Sequence, residues 1–121
     1  NMAKHEIEVA LHWMGSRIGK VSYSMENRYG PNSYDCSSSI YSALKHAGNI
    51  PANVWTGTTA SMLRDLPKYG WVELQPDRNG YFAAERGDIA LWSQSAVFDG
   101  GGDEHVGMFT DADNIINCRW G

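Results

Sequence analysis

The apolar residues of this chain change their spacing partway along, and that change limits the folds open to it. Ile7, Leu11, Met14 and Ile18 recur at helical spacing with Ala10 beside them, Ile40 and Leu44 continue the pattern, and Met62, Leu63 and Leu66 repeat it. Beyond residue 70 the runs are short and alternating: Ile89, Leu91 and Trp92, then Val106 and Met108, then Ile115 and Ile116. Helices first and strands later argue for an α+β domain with an antiparallel sheet. The predicted helices cover 3–15 or slightly more, 36–47 and 59–66. Asp35 and Thr58 serve as N-caps, Gly48 stops the second helix, and Pro67 and Gly70 end the third, whose Met62, Leu63 and Leu66 should face the core. Residues 20–24 read as a short extended piece and 26–34 as a loop rich in Asn, Gly and Pro. Strands are expected at 71–74, 88–93, 105–110 and 114–119, with Val106, Met108 and Thr110 sharing a face. Turns at 77–80, 100–102 and 111–113 separate them.

With 121 residues the chain fits one domain, 1–121. Its net charge is −4 and its basic residues are scattered from Lys4 to Arg119. Nucleic-acid affinity rests on clustered phosphate contacts, so this pattern argues against a nucleic-acid partner, and equally against attraction to an anionic membrane or wall polymer. No apolar run approaches the ~20 residues that span a bilayer. No basic segment followed by an apolar one marks a secretory signal.

There are two cysteines, Cys36 and Cys118, and no C-x-x-C pair. They could form a disulfide, be two buried thiols, or be one catalytic thiol and a bystander. Cys36 opens the second predicted helix, where unpaired N–H groups and the positive end of the macrodipole favour a thiolate and can hold an oxyanion. Its neighbours Asp35, Ser37, Ser38 and Ser39 are polar, unlike the usual company of a core cysteine. A base must come from elsewhere in the fold. His46 lies ten residues along the same helix, roughly 15 Å away, and His5 and His12 look solvent-facing on the first helix. His105, opening a strand after the glycine run 100–102, is the best partner. Asn117, on the next strand, can accept the imidazole N–H and orient the ring. A zinc site from Cys36, His105 and Cys118 is an alternative. Another is a binding domain in which Tyr23, Tyr34, Trp92 and Trp120 line a glycan or peptide groove.

Asp35-Cys36-Ser37-Ser38, Arg86-Gly87-Asp88-Ile89, His105-Val106-Gly107-Met108-Phe109 and Ile115-Ile116-Asn117-Cys118 occur in this order. So arranged, they resemble the NlpC-type cell-wall cysteine peptidases. With the segments 20–24 and 30–34 they are similar, over nearly the whole chain, to the catalytic domains of phage endolysins, those of the pneumococcal amidase type above all. The resemblance implies a papain-like NlpC-type fold, with the Cys-bearing helix packed on an antiparallel sheet. It implies Cys36, His105 and Asn117 as the triad, with Asn117 where many relatives have His. Tyr23, Asp35 and Ser37 match substrate-binding positions, and Cys118 has no catalytic role by this comparison and reads as packing. No metal and no cofactor are implied. The implied substrate is Gram-positive peptidoglycan, cut at the N-acetylmuramoyl-L-alanine amide or at a stem-peptide amide such as D-glutaminyl-L-lysine. Relatives continue past the position of Gly121, so the domain is expected to be truncated at its C-terminus. It is also expected to lack a separate wall-binding domain present in the full-length protein. The expected site of synthesis is the host bacterial cytoplasm, with action on the wall after release.

Overall fold

The computed structural model describes residues 2–92 and 105–118. In chain order they form α1 (Lys4–Ser16), β1 (Ser22–Tyr23), β2 (Ser33–Tyr34), α2 (Cys36–His46), α3 (Thr59–Lys68), β3 (Ile89–Trp92), β4 (His105–Phe109) and β5 (Ile115–Ile116). The α+β class follows from three helices with two small sheets.

Each helix begins where local chemistry predicts. Asp35 accepts from the Ser38 amide at 2.8 Å, and the Ser38 hydroxyl accepts from the Asp35 amide at 3.0 Å. Thr58 and Ser61 make the same reciprocal pair for α3. At α1 the Ala3 amide donates to Glu6 at 3.1 Å. Such pairs satisfy N-terminal donors that the helix cannot.

Strands β3, β4 and β5 form an antiparallel sheet in that order, with Ile89 opposite Met108, Leu91 opposite Val106, and Met108 opposite Ile116. Val106 and Met108 are fully buried. They meet α2, which carries Ile40, Tyr41 and Leu44 into the core and is backed by Ala10, Leu11 and Met14 of α1. Helix α3 joins through Met62, fully buried in the core, and through polar groups: the Tyr41 hydroxyl donates to Asp65 and contacts Ser61, both at 2.6 Å. Burial pushes Tyr41's ionisation far up, and Asp65 adds to the effect.

Several expectations are corrected. Residues 71–74 form no strand. Trp71 alone is buried there, its amide bonded to Leu66 and its indole to Asn49, while Val72 is 72% exposed. Helix α3 runs through Pro67 to Lys68, because in a last turn proline forfeits one bond only and the Tyr69 amide still closes on Asp65 and Leu66. Leu63 and Ile18 are exposed rather than in the core: Ile18 lies past the end of α1, and Leu63 lies on the solvent side of α3. Ser33–Tyr34, read as loop, pairs with Ser22–Tyr23 in parallel. The predicted turn at 100–102, Ser93, Arg119, Trp120 and Gly121 fall outside the described residues.

Candidate active site

Cys36 is the first residue of α2, buried at 8% exposure, and its thiol is free, as is that of Cys118. The residue before it is fixed from below. Arg28 is 8% exposed and its guanidinium is spent on this junction. Nε donates to Asp35 at 2.7 Å, one terminal nitrogen to Ser37 at 3.0 Å and to the Gly57 carbonyl, the other to the Thr56 carbonyl at 2.9 Å. Asp35 therefore caps α2 with one oxygen and grips Arg28 with the other. Burial alone would raise its pKa, but Arg28 and the Ser38 amide bring it below the usual carboxylate range. Ser37, 3% exposed, shares the same network. Any substrate contact by Asp35 or Ser37 would use atoms already engaged here.

Burial pushes the Cys36 thiol up, and the Asp35 charge pushes it further. The backbone N–H groups of Val106, Ser37 and Cys36 itself act in the opposite direction. The helix terminus thus does supply donors to the sulfur, as its position predicts, but they do not outweigh desolvation. The Val106 amide also ties the helix start to β4, one residue past His105. His105 pairs with Trp92 across the sheet, their rings 5.9 Å apart and 30° from parallel. Alternation puts Val106 on the helix side of β4 and His105 on the other. Any approach of the imidazole to Cys36 is therefore around the strand's first residue rather than across its face.

Asn117 follows β5. Continuing the register places it opposite Gly107, on the same side of the sheet as His105. A Cβ at Gly107 would lie 3.3 Å from that of Asn117. Tyr23 is near Cys36: its hydroxyl is pushed up by burial and by the charges of Cys36, Asp35 and Cys118. Cys118, read from sequence as packing, also belongs to this neighbourhood. Its thiol donates to the Tyr34 carbonyl at 3.4 Å and is pushed up by burial, Asp35 and Cys36. Among the described residues no three His, Cys, Asp or Glu side chains converge as metal ligands, and no helix is long and apolar enough to cross a membrane. Sequence reasoning missed Arg28. Its one visible signal is a lone arginine in the polar loop just before a helix headed by an acid.

The Arg86-Gly87-Asp88 segment is structural here. Arg86 pairs with Glu8 at 2.8 Å and donates to the Thr110 carbonyl, and the Gly87 amide donates to Phe109.

The model of the bacteriophage peptidoglycan hydrolase family matches residues 6–121, the segment that carries all of these groups. The chain belongs to that family. It is also 44% identical over 115 residues to a protein named lysin from Pneumococcus phage Dp-1. That match covers 95% of this chain, which spans 38% of the length of the curated relative.

Proposed function

We propose that this chain is the catalytic domain of a phage endolysin, an N-acetylmuramoyl-L-alanine amidase that works by cysteine nucleophilic catalysis on a papain-like NlpC-type scaffold. The observation that carries the reading is the junction of α2 and β4: Cys36 opens a helix that packs on β4, and the Val106 N–H, directly after His105, acts to favour its charged form. Because burial holds the thiol in its neutral form, a general base is required rather than a preformed thiolate. His105 removes the thiol proton as sulfur attacks the lactyl amide carbonyl. The Cys36 and Ser37 N–H groups hold the oxyanion. The same proton passes to the leaving L-alanine nitrogen as the C–N bond breaks, leaving a thioester. His105 then activates water, which releases the lactyl acid and restores the thiol. Asn117 orients the imidazole, and Tyr23, Asp35 and Ser37 shape the substrate side. The relative's greater length supports a separate wall-binding domain in the full protein. Synthesis in the host cytoplasm and action on the wall after release complete the proposal.

A digest of Gram-positive peptidoglycan read by mass spectrometry tests it. New lactyl ends and free L-alanine amines should appear with the chain and vanish in Cys36→Ala. Loss of Cys36 or of His105 should cost on the order of 10⁶-fold in kcat where the groups act as a unit. New stem-peptide amines without lactyl ends would establish an endopeptidase instead. Cleavage that survives Cys36→Ala would remove the cysteine mechanism.

A further inference from the structure

Between the end of α1, the β1–β2 pair and the residues after β5 lies a pocket of about 230 Å³, bordered by Trp13, Arg17, Tyr23, Tyr34, Asn117 and Cys118, among others. Among the described residues Arg17 is its one arginine or lysine. The residue caps α1, its amide bonded to Met14, and its guanidinium carbon sits 4.8 Å from the centre of the Trp13 ring. Its Nε is shielded from solvent and has no hydrogen-bond partner. Arg28 makes the contrast clear, since its guanidinium is spent on Asp35, Ser37 and backbone carbonyls. A buried donor left unpaired is costly, so Arg17 holds in place a donor that the folded chain does not use.

We propose that this pocket is a subsite for a carboxylate of the peptidoglycan stem peptide, received by Arg17. A guanidinium fork matches a planar carboxylate with paired, charge-assisted bonds, and the cation–π contact with Trp13 helps hold the guanidinium in place beforehand. In a chain of net charge −4, an arginine without an acidic partner is a local seat for an anion. Tyr23 and Asn117 belong both to this pocket and to the candidate active site. The occupant is therefore joined through very few bonds to the amide under attack. The second stem residue, D-glutamate linked through its side-chain carboxyl, offers such a group, its free α-carboxylate. The subsite then discriminates against stems in which that carboxylate is amidated. The inference rests on reading the Cys36 region as the cleavage centre.

The test uses the 121-residue chain carrying Cys36→Ala, titrated by calorimetry with N-acetylmuramoyl-L-alanyl-D-isoglutamate and with its α-carboxamide, while NMR follows the Arg17 Nε–H signal. The carboxylate should bind about tenfold more tightly than the amide, as a charge-assisted pair lost to a neutral one predicts, and should shift that signal. Adding Arg17→Met should abolish the preference, and Arg17→Lys, which keeps the charge but not the fork, should retain part of it. Equal affinity for the two ligands, a preference that survives Arg17→Met, or no binding of either ligand would overturn the subsite. A wall digest by the unsubstituted chain runs alongside. Digestion without a carboxylate preference defeats the subsite alone, and a preference without digestion defeats the catalytic reading alone.

Discussion

Arg28 holds Asp35, whose charge bears on Cys36, from a position one residue removed from the thiol. Its pair with Asp35 is almost dry, the side chains being 10% and 12% exposed. Removing one member of such a pair strands the other as an uncompensated charge. Arg28→Met should therefore destabilise the fold by about 3–5 kcal/mol, read by urea unfolding, and combining it with Asp35→Asn should recover part of that loss. Cys36 should respond too. With the guanidinium gone, the Asp35 charge bears on the sulfur unopposed, and the midpoint for alkylation of Cys36 should move to still higher pH. A fall in that midpoint would contradict the account. The acid side follows from Asp35 itself, whose folded pKa lies below its unfolded value of about 3.9. Its contribution is fully present above that value and is lost as pH falls through the folded pKa. Thermal melts from pH 5 to 2 should show the wild type losing stability more steeply than Asp35→Asn. Cys36 has the opposite sign. Its raised pKa contributes stability below the unfolded value of about 8.5, and that contribution is lost as pH rises through the folded one.

Between elements, β5 lies tight against β4 at Gly107. A Cβ there would meet the Ile115 side chain at 3.0 Å and the Ile116 carbonyl at 3.2 Å. Gly107→Ala must push β5 outward, carrying Asn117 with it. We expect a loss of roughly 1–3 kcal/mol, the usual scale of overpacking, with faster amide exchange at Ile115 and Ile116. Unchanged exchange would mean that Asn117's strand is not held by this contact. The same local-versus-distant division explains what could be read in advance. The start of α2 was legible because Asp35 and Ser38 decide it within one turn, and it placed Cys36 correctly on the helix. The strand beginning at His105 was legible from its alternation. The parallel β1–β2 pair was not, because two-residue strands carry no periodic signal. Residues 71–74 look like a strand, yet only Trp71 among them is buried, and its bonds to Leu66 and Asn49 hold it to the helices rather than to a sheet. Arg28 and Arg17 escaped notice for a related reason. Each acquires its role from groups brought together by folding, and arginines in such positions look like ordinary surface charges in sequence.

At the scale of the whole chain, charge and extent bear on the same question of how the domain meets its substrate. A net charge of −4 does nothing to draw it to a wall rich in anionic polymers. The chain spans only 38% of the relative it matches, which leaves room in such a protein for a module that binds the wall. If the domain alone is repelled, its action on intact walls should be limited by encounter rather than by chemistry. Raising ionic strength shortens the screening distance from about 30 Å at 0.01 M to about 8 Å at 0.15 M. Turbidity assays on whole walls should therefore show lysis by this chain accelerating over that range. Cleavage of a small neutral muramoyl-peptide should stay nearly flat, because screening there has little long-range repulsion to remove. Stripping the anionic polymers from the wall should remove the salt response. A salt response that persists on stripped walls would place the electrostatics within the site, where the charges of Asp35, Arg28 and Arg17 lie, rather than in the approach of the whole molecule.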